Sequence, residues 1–156
     1  MFNNNITNFL DDNHIEYELK LHDNEVYTCE DAAFQRDVKI SQIVKCILLS
    51  SKKKYYYLAL LPGDKRLNTS DLKKITKEKS LNFVNSEKLI NVFDLIPGAV
   101  SPLSQKLDTL PKFMDRKIFD EDLVDISSGD PKVGIELESK SLLEVLQNVQ
   151  VVDISL

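Results

Sequence analysis

The stretch IVKCILLSSKKKYYYLALLPG, residues 43 to 63, constrains the fold more than any other part of the chain. Two apolar runs rich in β-branched, leucine and tyrosine residues flank a basic turn, and Pro62-Gly63 closes the second run with turn chemistry. This predicts an antiparallel hairpin of residues 43 to 50 and 55 to 61, with both strands buried at their centres. A hairpin alone is marginal in water, so other elements must cover it.

The rest of the sequence supplies them. Phe2, Ile6, Phe9 and Leu10 recur at helical spacing over residues 2 to 12, and Ile15, Tyr17, Leu19 and Leu21 alternate as in a strand. Thr28 followed by Glu30 and Asp31 reads as a cap with acids in the first turn, predicting a helix over 29 to 36. Residues 68 to 79 and 85 to 93 predict two more helices around a short strand at 81 to 84. Strands are expected at 123 to 127 and 133 to 137, then a helix in KSLLEVLQ capped by Ser139, and a closing strand in VQVVDISL. Strands and helices are mixed, which predicts an α+β domain on a twisted, barrel-like mixed sheet surrounded by helices. With 156 residues and neither an internal repeat nor a Gly/Ser-rich linker, residues 1 to 156 are expected to form one domain.

Charge narrows the function classes. A net charge of −5 gives no overall basic field, so any nucleic-acid contact must be local. Lys52, Lys53, Lys54, Lys65, Arg66, Lys73, Lys74, Lys106, Lys112, Arg116 and Lys117 could form one such face. No basic leader precedes an apolar stretch, and no apolar run approaches the roughly 20 residues that span a bilayer, so a cytoplasmic protein without membrane partners is expected. Cys29 and Cys46 form no CxxC, so neither a structural zinc nor a disulfide framework is expected. GxSxG, HExxH and GxGxxG are absent, and GDPKVG lacks the ending of a phosphate-binding loop. His14 and His22, among acids, read as exposed polar residues.

Lys45 stands out because it interrupts an apolar strand and shares a face with Ile43, Ile47 and Leu49. An ammonium there needs an anion or water. Two readings fit: a lysine snorkelling from a strand end or paired with a carboxylate, and a lysine at a pocket mouth facing a phosphate or carboxylate. Cys46, on the opposite face, reads as a buried core thiol. In GAVSPL, Gly98 permits a positive φ and close approach of a ligand, and Pro102 stiffens the far end. Between them Ala99, Val100 and Ser101 could offer backbone groups to a small ligand, although an ordinary loop would look similar.

Taken together, YTCEDAA, IVKCILL, LPGDKRLNTSDLKK, PGAVSPLSQK and SSGDPKVGIELESKSLL, in this order, resemble the YbaK/EbsC-type aminoacyl-tRNA deacylase family, the prolyl-tRNA synthetase-associated editing domains. The resemblance implies a mixed α/β barrel that hydrolyses the ester joining a wrong amino acid to tRNA, typically proline tRNA, with no metal or other cofactor. It places Lys45 by the substrate pocket, matches Gly98 to Pro102 to the family's GxxxP loop, and matches Ser128 and Gly129 to the Ser-Gly before the IEL strand. The implied catalytic set is Lys45, Gly98, Ser101 and Pro102. Ala99, Val100, Ser128 and Gly129 would bind substrate, and Val26, Ile47 and Leu60 are added from strand faces. Partners would be mischarged tRNA, without DNA, and prolyl-tRNA synthetase. SPLSQK resembles members that remove cysteine, TCEDAA and PGAVSP those that remove alanine, and Asp130 stands where small uncharged residues are usual; serine and threonine stay open. The alternative is a non-catalytic module of the same fold that binds aminoacyl-tRNA or a synthetase.

Overall fold

The computed structural model describes residues 1 to 156. The expected hairpin is present as β2 (Val44–Ser51) and β3 (Tyr56–Pro62), paired antiparallel with Lys45 opposite Leu61 and Cys46 opposite Leu60. Around it the chain lays down α1 (Asn5–Asp12), β1 (Tyr17–Leu21), α2 (Cys29–Arg36), α3 (Thr69–Thr76), β4 (Leu81–Phe83) and α4 (Ser86–Phe93). There follow β5 (Lys112–Asp115), β6 (Leu123–Ser127), β7 (Val133–Glu138), α5 (Ser139–Val145) and β8 (Val149–Val152). No helix is long and apolar enough to cross a membrane.

The strands make two sheets rather than the closed barrel the sequence suggested. One has the order β1-β7-β6, all antiparallel; the other has the order β4-β2-β3-β5-β8, parallel from β3 through β5 to β8. A single bridge between Ile43 and Asp125 joins them. The main core fills the space between the sheets with Leu48, Leu58, Leu60, Met114, Ile126 and Ile135, while Leu49, Leu61 and Phe113 face α3 and Leu72 on the other side. Strand alternation explains the division, because successive side chains of β2 and β3 point to opposite faces.

Local chemistry explains the helix boundaries. Asn4, Thr28, Asn68 and Asn85 each accept backbone N–H bonds at a helix start, and Asp37, Lys77 and Asp94 end helices in the left-handed region. Ser139 does not cap α5; Glu138 occupies that position, and the Ser139 hydroxyl donates to the Asp122 carbonyl. The sequence reading also missed β5. Its four residues are all buried, but KFMD carries a charge at each end.

Both terminal charges of β5 are satisfied internally. The Lys112 ammonium donates to the carbonyls of Asp108, Leu110 and Gln147 at 3.3, 3.2 and 2.9 Å, and burial lowers its pKa against the opposing pull of Asp108. Lys112 therefore leaves the proposed basic face. Asp115 accepts from the backbone N–H groups of Ile154 and Ser155 at 2.9 and 3.2 Å, tying the end of the chain to the sheet.

Candidate functional site

A cavity of about 380 Å³ opens beside the start of β2, within the usual size range of ligand pockets. Four elements build it. The segment before α2 brings Val26, α2 brings Cys29 at its start and Arg36 in its last turn, β2 brings Lys45 and Cys46, and the glycine loop brings Gly98 and Val100. Ser127, at the end of β6, completes the wall.

Lys45 reaches this wall from the face of β2 that also carries Ile47 and Leu49, as strand alternation requires. Its ammonium donates to the Lys65 carbonyl and pairs with no carboxylate. One carbonyl can take only one of its three protons, so donors remain for a ligand. The two cysteines are neutral thiols. Burial pushes Cys29 up, with Lys45 and Arg36 opposing and Glu30 adding, and burial pushes Cys46 up further. Neither has the thiolate character of a nucleophile.

Gly98 has φ +83°, and a Cβ there would stand 3.0 Å from Tyr27 Cα and 3.2 Å from the Val26 carbonyl. The glycine is thus required twice, by its left-handed backbone and by the close approach of the loop to residues 26 and 27. A Gly98→Ala variant is expected to push the loop out of the cavity wall and lose on the order of 1–3 kcal/mol of stability. Denaturant melts and a ligand-binding assay check this; an unchanged melt with unchanged binding would contradict it.

The cavity gathers only part of the expected set. Lys45, Gly98, Val100 and Val26 line it. Ala99 and Ser101 turn to the far side of the loop, where with Gly129 they line a second cavity of about 320 Å³. Ser101 is buried there and accepts from the Leu103 N–H, so its hydroxyl shapes the turn. Pro102 is buried behind the loop with Phe9 and Val145. Ser128 donates to the Val133 carbonyl and accepts from the Asp130 N–H, and its own carbonyl receives Asn4 Nδ2, making it the latch of the β6–β7 turn. Asp130 helps close that turn by accepting from the Lys132 N–H. Leu60 is sealed in the main core because it pairs with Cys46 and lies on the face opposite Lys45, and Ile47 packs toward the second core.

Sequence reasoning missed Arg36 and Asp125. Arg36 follows Ala32 and Ala33 by four and three positions, and all three are buried on one face of α2; that spacing was the available signal. Its stem lies flat on Gly134 of β7, where a Cβ would stand 2.5 Å from Cζ and 2.6 Å from Cδ. His22, half-buried, receives Arg36 Nε at Nε2 (3.5 Å), while its Nδ1 faces the Asn24 carbonyl. The Asn24 carbonyl can only accept, so Nδ1 carries the proton.

Asp125 is fully buried, and both its carboxyl oxygens lack a hydrogen-bond partner. Burial raises its pKa to about 7; Glu136 on β7 pushes the same way, and Arg36 on α2 and Lys20 on β1 oppose. For a carboxyl raised in the folded state, the neutral form fits and the charged form costs. Its stability contribution is therefore complete below about pH 4, the unfolded value, and is lost as pH rises through about 7. Asp125→Asn is expected to flatten this fall between about pH 4 and 7, by on the order of 5 °C in Tm. Parallel pH profiles for the two proteins would show the mechanism absent.

A family model described as an aminoacyl-tRNA editing domain matches residues 23–145. This chain is a member of the aminoacyl-tRNA editing domain family. Among curated relatives of the editing domain, the proline–tRNA ligase of Fervidobacterium nodosum is 30% identical over 56% of this chain, and that of Janthinobacterium is 33% identical over 50%. The chain spans about 15% of the length of either ligase. A crystal structure of a hypothetical protein superposes with a TM-score of 0.85 at 20% identity, covering 97% of this chain and 99% of that one. Another, described as a candidate trans-editing enzyme for prolyl tRNA synthetase, gives 0.81 at 22% identity, covering 97% and 94%. Both likenesses speak to the fold, which is that of a mixed α+β editing domain.

Proposed function

We propose that this editing domain is a deacylase that hydrolyses the ester of a mischarged tRNA, with proline tRNA as carrier, and that residues 1 to 156 act as one unit in trans. The observation that carries the reading is the cavity that Lys45 and the Gly98 loop line together in a chain of this family. The trans arrangement draws on the structural neighbour of equal extent described as a candidate trans-editing enzyme.

The residues suit hydrolysis by positioning. A water oxygen adds to the ester carbonyl carbon, and the bond to the ribose 3′-oxygen breaks, that oxygen leaving as a hydroxyl with a proton from the water as the amino acid is released. Lys45 stabilises negative charge on the carbonyl oxygen or the adjoining phosphate, and the backbone between Gly98 and Val100 fixes the ester and the water. Such orientation and preorganised charge lower a barrier by several kcal/mol without a nucleophilic side chain. The resemblance points to a small acyl group, cysteine or alanine by its motifs, with serine and threonine left open. A non-catalytic binding module is the second reading, favoured by the net charge of −5 and by the ion pairs that engage Lys65, Lys106 and Arg116 with Asp64, Asp94 and Asp153.

The experiment is incubation with proline tRNA charged with alanine, cysteine, serine or proline, following loss of the amino acid. Hydrolysis of a mischarged form with sparing of proline supports the deacylase. Binding without hydrolysis of any form selects the module.

A further inference from the structure

The cavity holds a second cation that the proposed reaction leaves unused. Arg36 is 5% exposed, lies on the cavity wall, and has His22 as the sole hydrogen-bond partner of its guanidinium, through Nε. Asp125 and Arg36 feel each other's charge, yet they do not reach ion-pair distance, and Asp125 has no partner on either oxygen. The outer guanidinium nitrogens have no protein acceptor and, unlike the Asp125 oxygens, are not sealed off, so they are open to a ligand in the cavity. Cys29 lines the same cavity as Lys45 and Arg36, and both cations act on its thiol. The only carboxylate on this wall is Glu30, which is exposed.

We infer that Arg36 is a specificity-determining residue that reads the acyl side chain, favouring one with a hydrogen-bond-accepting heteroatom on its β-carbon over one without. This rests on the deacylase reading, in which Lys45 takes the ester end of the same ligand. Serine and alanine differ by a single oxygen, and that oxygen can accept from a guanidinium N–H. Threonine carries the same acceptor, and the sulfur of cysteine is a weaker one, so the expected order is serine, then cysteine, then alanine. A hydrogen bond from a charged donor makes the serine-to-alanine preference roughly 10- to 100-fold.

Gly134 supplies an unusually clean perturbation. The three atoms a methyl group there would meet first, all within 2.6 Å, belong to the flexible Arg36 side chain, so Gly134→Ala should displace the guanidinium in preference to the β7 backbone. Arg36→Met removes the donors outright. Because that change strands Asp125, it is paired with Asp125→Asn in a double variant.

The measurement is kcat/KM for seryl- and alanyl-proline tRNA with the unaltered protein, Gly134→Ala and Arg36→Met/Asp125→Asn. The expected result is a serine preference of at least about 10-fold that collapses toward unity in both variants, chiefly through loss of serine turnover. A merely structural arginine would lower both substrates alike. Equal or greater turnover of alanine, or a ratio unchanged in the variants, overturns the assignment. The same ratio is read from binding of 3′-seryl and 3′-alanyl amide analogues of adenosine. A protein that hydrolyses no ester but still prefers the seryl amide through Arg36 therefore fails the deacylase reading while keeping this one.

Discussion

Lys45→Ala is expected to lower single-turnover hydrolysis of mischarged proline tRNA by about 100- to 1000-fold, the usual loss when one preorganised donor to a developing oxyanion is removed. The fold should survive. Lys45 sits near the start of β2 with one hydrogen bond, to the carbonyl of the Lys65 loop, and the loss of one such bond costs about 1 kcal/mol. Lys45→Arg should recover little, because the guanidinium is longer and planar and cannot satisfy the Lys65 carbonyl and the ligand from the same point. A thermal melt within a few degrees of the unaltered protein, with the rate collapsed, is the expected pair of results. Full deacylation by Lys45→Ala would remove it from the reaction.

The largest effect on stability is expected at Lys112, a residue 1% exposed that does not line the cavity. Lys112→Met keeps the stem and removes the ammonium, leaving the carbonyls of Asp108, Leu110 and Gln147 without that donor. Asp108 keeps a second donor in Asn148 Nδ2 and Gln147 lies at the surface, so the Leu110 carbonyl bears most of the cost, and a loss of about 2–3 kcal/mol is expected. In a chain of this size that is about 4–12 °C in Tm. The urea midpoint should fall with the slope unchanged. A midpoint equal to that of the parent protein would show that solvent reaches those carbonyls and that the ammonium is dispensable.

Lys45 and Lys112 also show where sequence reading works and where it stops. A lysine inside a long apolar run is conspicuous, and strand alternation placed Lys45 on its face of β2. Lys112 looked like surface charge because KFMD is too short to show a period and has a charge at each end. What buries it is the parallel pairing of β5 with β3 and β8, a relation between distant segments that local pattern does not carry. GAVSPL follows the same rule. Gly98 was legible because positive φ is a local demand, but the direction in which Ala99 and Ser101 point depends on what packs behind the loop. Arg36 and Asp125 were hidden for the converse reason: each is polar in a mixed segment, and only the assembled sheets show that both are buried together. Barrel closure was over-read, since a count of strands does not say where hydrogen bonding between them ends.

The three-stranded sheet also sets an order of events for the nascent chain. Within this domain β1 is made well before its only partner, β7, with Tyr17 opposite Leu137, and nothing nearer in sequence pairs with it. The β2–β3 hairpin can form as soon as its own turn has left the ribosome, whereas β1 must wait, with both edges open, until nearly the whole domain has emerged. Its sequence YELKL, which places Glu18 and Lys20 between apolar residues, keeps that waiting strand from recruiting a neighbour of its own kind.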